Sequence, residues 1–321
     1  MNLPQPSTRA RAGAALAAGA VATAFVLLLY GRQTAAVVSD WDATWLGAKA
    51  LLSGSSPYAA IRRPPWPWGL NYPLPAVLYS ALLAPLPLPV ARALFVGLGA
   101  AVFTFVFTRY GWWTLYFLIS GAMLWSWIPV QWAPLLMAAA LTPSLGWLLA
   151  AKPTIGFALF TAYPRRSTVL WVTAMIALSF AIWPTWVSEW LHSVATDSPH
   201  FPHLLRPGGF LLLLGLLRWR RPEGRLLAAL CIIPQTTALY ETLPVALVVR
   251  DRRQAAVYAT LTMIAHLLFK LGPQGPWPVG AAYQWWVMLL LVYLPALALV
   301  LKRPNGPATL DWPYPAPEPR A

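Results

Sequence analysis

Residues 13–30, GAALAAGAVATAFVLLLY, followed by residues 39–58, SDWDATWLGAKALLSGSSPY, decide the fold. The first run is apolar throughout and is close to the ~20 residues a helix needs to cross a bilayer. The second places Asp40 and Asp42 at the edge of that span, in a chain with only 9 Asp and Glu among 321 residues. Acids this scarce are not spread for solubility, so the pair predicts chemistry or ion handling at a membrane surface. Arg9 and Arg11 before the span predict a cytoplasmic N-terminus, with the acidic pair outside. The run resembles a signal peptide, with small residues at Ala35-Ala36. It is longer than the usual apolar core of such a peptide and more spans follow, which favours an uncleaved first helix.

Composition extends this to the whole chain. Hydrophobic residues make up 59% and charged residues 10%, too few charges to hydrate a soluble surface of this size. The fold class expected is an all-α polytopic membrane protein. The net charge of +14 sits in short clusters between apolar spans, the pattern of cytoplasmic loops and anionic headgroups rather than of nucleic-acid binding. Cys231, the single cysteine, lies in an apolar run, so no disulfide within the chain and no catalytic thiol are expected.

Residues 31–88 read as a first outer loop carrying two interfacial helices. Trp41, Trp45, Ala48 and Leu52 share one face at helical spacing, Gly54 closes the helix, and 76–84 is an apolar piece bounded by Pro75 and Pro85. Residues 89–108 make a second span returning to Arg109, and 111–128 a third. Between Gln131 and Arg165, Pro134, Pro143 and Pro153 predict short pieces rather than one crossing. Residues 168–187 run outwards to a polar loop at 188–208, and 210–217 return. The stretch 226–249 has basic clusters at both ends and predicts a pair of short helices bent near Pro234. Residues 254–271 and 281–301 form a last pair. Residues 1–303 thus read as one transmembrane domain, and the Pro-rich 304–321 as a disordered cytoplasmic tail. Arg32, Lys49, Arg62, Arg63, Arg92, Lys152, Arg206 and Lys270 fall on the outer side of this topology, where several are placed to hold a phosphate.

Ser39-x-x-Asp42 matches a capping box, which assigns Asp42 mainly to starting the interfacial helix. Asp40 then falls at the first helical position with its carboxylate unassigned, a candidate general base if partly desolvated. Glu241 lies inside an apolar stretch, where burial demands a partner or a function. His200-x-x-His203, with His192 nearby, reads as an interfacial loop rather than a zinc site, because no Cys accompanies it.

These residues carry a family resemblance. Asp40, then Gly47-Ala48-Lys49-Ala50-Leu51-Leu52-Ser53-Gly54-Ser55-Ser56-Pro57-Tyr58, resembles the first outer loop of glycosyltransferase family 87. Asn71-Tyr72-Pro73-Leu74-Pro75 resembles its Tyr-Pro-Pro element. Val130-Gln131 sits where that family shows Gly-Gln, and Ala151-Lys152-Pro153 resembles its Lys-Pro motif. The resemblance implies the C-type glycosyltransferase fold, with about 10–12 membrane helices, several of them short. It implies inverting transfer of a hexose, mannose first, from a polyprenyl-phosphate donor to a lipid-linked or cell-envelope glycan on the outer face of the cytoplasmic membrane. In that frame Asp40 is the base, and Lys152, Arg62, Arg63 and Arg206 are candidates for the donor phosphate. Asp42, Tyr58, Tyr72, Gln131, His200, His203 and Glu241 are substrate contacts, and no metal or other cofactor is expected. The competing expectation is a transporter or flippase of lipid-linked sugars.

Overall fold

The computed structural model describes residues 6–31, 38–61, 69–196, 200–273 and 279–306. Arg62, Arg63, Ala35-Ala36 and most of the Pro-rich tail lie outside them. The described residues are almost wholly helical, with one two-residue antiparallel ladder pairing Phe201–Pro202 with Pro234–Gln235. Four helices among them are long and apolar enough to cross a membrane: Thr8–Gly31, Leu88–Tyr110, Arg252–Leu271 and Val279–Leu301. The pair Arg166–Ile182 and Trp186–Thr196, bent by 98°, adds a fifth if it is one span. The other apolar runs expected as crossings are shorter pieces. Residues 111–128, expected as one span, fold instead as a 3₁₀ stretch Trp112–Ile119 and a helix Gly121–Trp127, separated where Ser120 caps the second by accepting the Met123 N–H. The polar loop expected at 188–208 begins with helix Trp186–Thr196, which lies over the first loop. Its Glu189 receives Ser56 Oγ and Trp183 Nε1, and Trp190 Nε1 donates to the Asn71 carbonyl.

Between Gln131 and Arg165 the three prolines do break the chain. The pieces are Ala133–Leu141, Pro143–Ala151 and Pro153–Ala162, each starting with Pro in its first turn, where the missing N–H costs nothing. Residues 222–248 are likewise two pieces, Pro222–Ile232 and Leu239–Val248.

Short pieces multiply helix ends, and each end leaves carbonyls without partners. Arginines supply them. Arg11 donates to Phe105 O, Arg109 to Leu141 O, Arg225 to Thr161 O and Ala162 O, Arg303 to Val248 O, and Arg218 to Leu301 O. Each of these carbonyls closes a helix at its C-terminal end, where a cation also complements the helix dipole. Clusters that read as topology signals therefore double as caps. Buried Glu223 compensates Arg250 and Arg303 beneath this face.

Helices Thr8–Gly31 and Leu88–Phe107 cross closely through Gly19 and Gly97. A Cβ on Gly97 would stand 2.0 Å from Thr23 Oγ1 and 3.0 Å from the Gly19 carbonyl oxygen, the small-residue crossing typical of membrane helices.

The helix expected as the first interfacial one spans Asp42–Leu52, two residues later than the capping box implied. Of its expected apolar face Trp41, Trp45 and Ala48 are buried while Leu52 is exposed; Trp41 stacks on Phe95, with ring centroids 4.8 Å apart. Only half of the box forms. Asp42 accepts Ser39 N at 2.7 Å and Ser39 Oγ at 2.6 Å, while the Asp42 N–H goes to the Ser39 carbonyl. The other carboxylate partner is Arg92, whose Nε donates at 2.7 Å and whose second nitrogen completes a two-point pair. The Arg92 guanidinium lies over the Tyr30 ring. Gly54, at φ +77°, ends the helix as expected, with Ser55 N returning to Ala50 O and Gly54 N to Leu51 O. The second interfacial helix, expected over 76–84, runs Leu74–Ser80.

Candidate active site

Asp40 is held at the mouth of the first interfacial helix from two sides. Behind it, Asp42 is locked by Arg92. In front, its own N–H donates to Pro129 O at 3.1 Å, joining it to the end of helix Gly121–Trp127. That helix ends in a tight reversal: Gln131 N bonds Ser126 O and Val130 N bonds Trp127 O. This pattern demands a left-handed residue between the helix and Gln131, a place glycine usually fills. Here Val130 fills it at φ +56°, the one non-glycine positive φ among the described residues, and it is fully buried. A β-branched residue is strained there.

The reversal aims Gln131 at Asp40. Gln131 Nε2 donates to Asp40 Oδ2 at 2.5 Å, and Gln131 Oε1 accepts from Lys152 Nζ at 3.2 Å. One amide thus links the carboxylate to the ammonium. Lys152 is extended because Pro153 follows, and it projects just before helix Pro153–Ala162. Its ammonium also bonds Glu241 Oε1 at 3.0 Å and lies 4.5 Å from the Tyr240 ring centre. Tyr240 OH donates to the same Asp40 oxygen at 3.2 Å. Tyr72 is buried beside Gln131, within electrostatic reach of Asp40 and Glu241. Glu241 Oε2 is buried without a protein partner among the described residues.

Asp40 keeps some exposure, yet its surroundings are dense enough that desolvation pushes its carboxyl above the ordinary 3.8. The Lys152 charge and the Tyr240 and Gln131 donors pull the other way without cancelling the rise, and Glu241 adds to it. The Tyr72 phenol is pushed well above its ordinary value by burial and stays neutral.

Four residues singled out in sequence therefore share one hydrogen-bonded network: Asp40, Gln131, Lys152 and Glu241. Tyr72 stands against it. Tyr240 was overlooked as a contact to Asp40; its only signal was its place next to Glu241. Several other candidates belong elsewhere. Asp42 is fully buried on Arg92 and Ser39, so it is a structural anchor and not a substrate contact. Arg92, one of the eight cations expected on the outer side, pairs with Asp42. Tyr58 is buried and donates to the Tyr72 carbonyl, supporting that residue from behind. His200 is exposed. His203 is fully buried, with its Nε2 3.1 Å from Tyr293 OH and its ring against Trp285. Burial, with the Arg206 charge second, pulls the His203 imidazole down to about 3, so it stays neutral. Arg206 packs beside it, towards Gln235 O and the Trp285 ring. His203 and Arg206 thus form a second buried cluster, built on Tyr293, Trp285 and Gln235. Comparison of the chain with protein-family models, with curated proteins and with solved structures gives no match.

Proposed function

We propose that the protein is a membrane glycosyltransferase of the C-type fold that uses a polyprenyl-phosphate sugar donor, with Asp40 as general base. The observation that carries the proposal is the Asp40–Gln131–Lys152–Glu241 network. It sets a carboxylate of raised pKa one amide away from a cation, at the edge of a membrane span. In the reaction an acceptor hydroxyl gives its proton to Asp40 as its oxygen bonds the anomeric carbon. The bond from that carbon to the lipid phosphate breaks with inversion, and the phosphate leaves with the electron pair. Lys152 stabilises that leaving charge, an interaction worth most where water is excluded. Gln131 holds the two groups in register. Tyr240 keeps the Asp40 oxygen oriented, and the spare oxygen of Glu241 receives a sugar or acceptor hydroxyl. The positive-inside rule, applied to the arginine-capped face, supports a site on the outer side, as the proposed reaction at the cytoplasmic membrane requires.

A transporter of lipid-linked sugars is the second reading, favoured by the burial of Lys152 and Glu241 as a pair. Detergent-solubilised protein separates the two, since only an enzyme consumes donor without compartments. The test is sugar transfer from polyprenyl-phosphate mannose to a glycolipid acceptor in detergent. Asp40→Asn should lose about 10²–10⁴-fold in rate and Lys152→Met about 10²–10³-fold, both folded. Full transfer by a folded Asp40→Asn protein would remove Asp40 as base, and absence of donor consumption across sugar donors would remove the enzyme.

A further inference from the structure

On the arginine-capped face, helices Arg252–Leu271 and Val279–Leu301 diverge over the segment Leu239–Val248 and leave a groove of about 520 Å³. This is within the usual ~300–1,000 Å³ of small-molecule sites. Val248, Val257, Leu261, Leu291, Pro295 and Leu299 make its wall apolar. Pro295 has no N–H to return to Leu291, and the helix relaxes there into a wide π turn over Leu289–Tyr293, which shapes the groove. Val257 is 49% exposed, so the groove opens sideways.

Its mouth is charged. Arg253 and Lys302 line it from the two helices, and both are exposed. Neither side chain has a hydrogen bond or ion pair among the described residues, unlike Arg250 and Arg303, which Glu223 compensates. Asp251 also lines the mouth, but its two oxygens accept Gln254 N at 2.8 Å and Gln254 Nε2 at 2.7 Å. An apolar slot open to lipid, whose mouth sets two exposed cations without ion pairs against one carboxylate, is net positive at the headgroup end and matches a molecule with a hydrocarbon tail and an anionic head.

We propose that this groove binds an anionic phospholipid of the adjoining leaflet, with one acyl chain along Val257, Leu261 and Leu291 and its phosphate between Arg253 and Lys302. Basic pockets between membrane helices bind such headgroups elsewhere. The site shares no residue with the Asp40 network and stands whether or not the protein transfers sugar.

Delipidated full-length protein in neutral detergent, titrated with phosphatidylglycerol or phosphatidylcholine and read by native mass spectrometry, tests this. Phosphatidylglycerol should bind at least tenfold tighter. Arg253→Gln with Lys302→Gln should weaken it about thirtyfold. Val257→Trp, which fills the slot from a half-exposed position and keeps both charges, should also displace it. Glycerophosphoglycerol and inorganic phosphate, which lack the chain, should not compete. Equal binding of the two lipids, unchanged binding by the double variant or by Val257→Trp, or competition by the headgroup alone would each overturn the proposal.

Discussion

Breaking the Asp42–Arg92 pair should unfold the entrance to the site, and the size of the effect follows from burial. The Asp42 side chain is fully buried and that of Arg92 is 7% exposed. The carboxylate accepts from two Arg92 nitrogens and from Ser39 N and Oγ. Asp42→Asn deprives a buried guanidinium of its counter-charge, and Arg92→Met does the same to a buried carboxylate. Either loss costs about 3–5 kcal/mol. At roughly 2 °C per kcal/mol for a chain of this size, each single variant should melt about 6–10 °C lower. Asp42→Asn with Arg92→Met removes both charges and leaves mainly weakened bonds to Ser39, at about 1–2 kcal/mol. The double variant should therefore melt above both singles, with a coupling of several kcal/mol. Thermal unfolding of all four proteins in one detergent at pH 7 is the assay. Singles within about 2 °C of wild type, or a double variant that loses the sum of the two, would refute the claim that burial makes this pair mutually dependent.

The remaining predictions concern Asp40, Val130 and the Gly97 crossing. The raised Asp40 pKa means that the folded protein binds that proton more tightly than the unfolded chain. Its stabilisation is present below about pH 4 and is lost as pH rises through the folded value. Asp40→Asn should thus melt higher than wild type at pH 7, with the gap closing on acidification; a lower melting point at pH 7 would contradict the desolvation argument. At Val130 the usual order of small residues should invert. Val130→Gly should be more stable than Val130→Ala by about 1 kcal/mol, because only glycine accepts the left-handed turn freely, and denaturant titration compares them directly. Gly97→Val should destabilise by several kcal/mol through overpacking against Thr23 and the Gly19 carbonyl, read as a fall in melting temperature, whereas Gly13→Val, where a Cβ meets nothing, should change little.

Much of the architecture was legible because proline and glycine act locally. Pro134, Pro143, Pro153 and Pro234 fall at or beside breaks, and Gly54 marks a helix end. Residues 111–128 hold no proline, and Ser120-Gly121, where the segment divides, reads in sequence as one more small pair inside an apolar run. Hydropathy alone cannot distinguish a straight span from a 3₁₀ stretch and a capped helix of equal polarity. The site divides along the same line. Asp40, Gln131, Lys152 and Glu241 stood out because polar groups are rare in this chain, but their meeting on one amide spans 201 positions of sequence and has no local signature. For Asp42 the local motif Ser39-x-x-Asp42 signalled a structural role, but nothing nearby announces that Arg92, fifty residues on, takes its carboxylate.

The arginine caps have an evolutionary consequence. Residues that bias how a helix enters the membrane usually act once, during insertion, and are then free to drift along the loop. Here Arg109, Arg218, Arg225 and Arg303 remain in use afterwards, each fastened to a particular helix end. Moving such a charge by even a few positions preserves the insertion bias but uncaps a helix. Any bias these arginines give to insertion and the closure of the arginine-capped face are therefore inherited together, and a lineage cannot change the one without rebuilding the other.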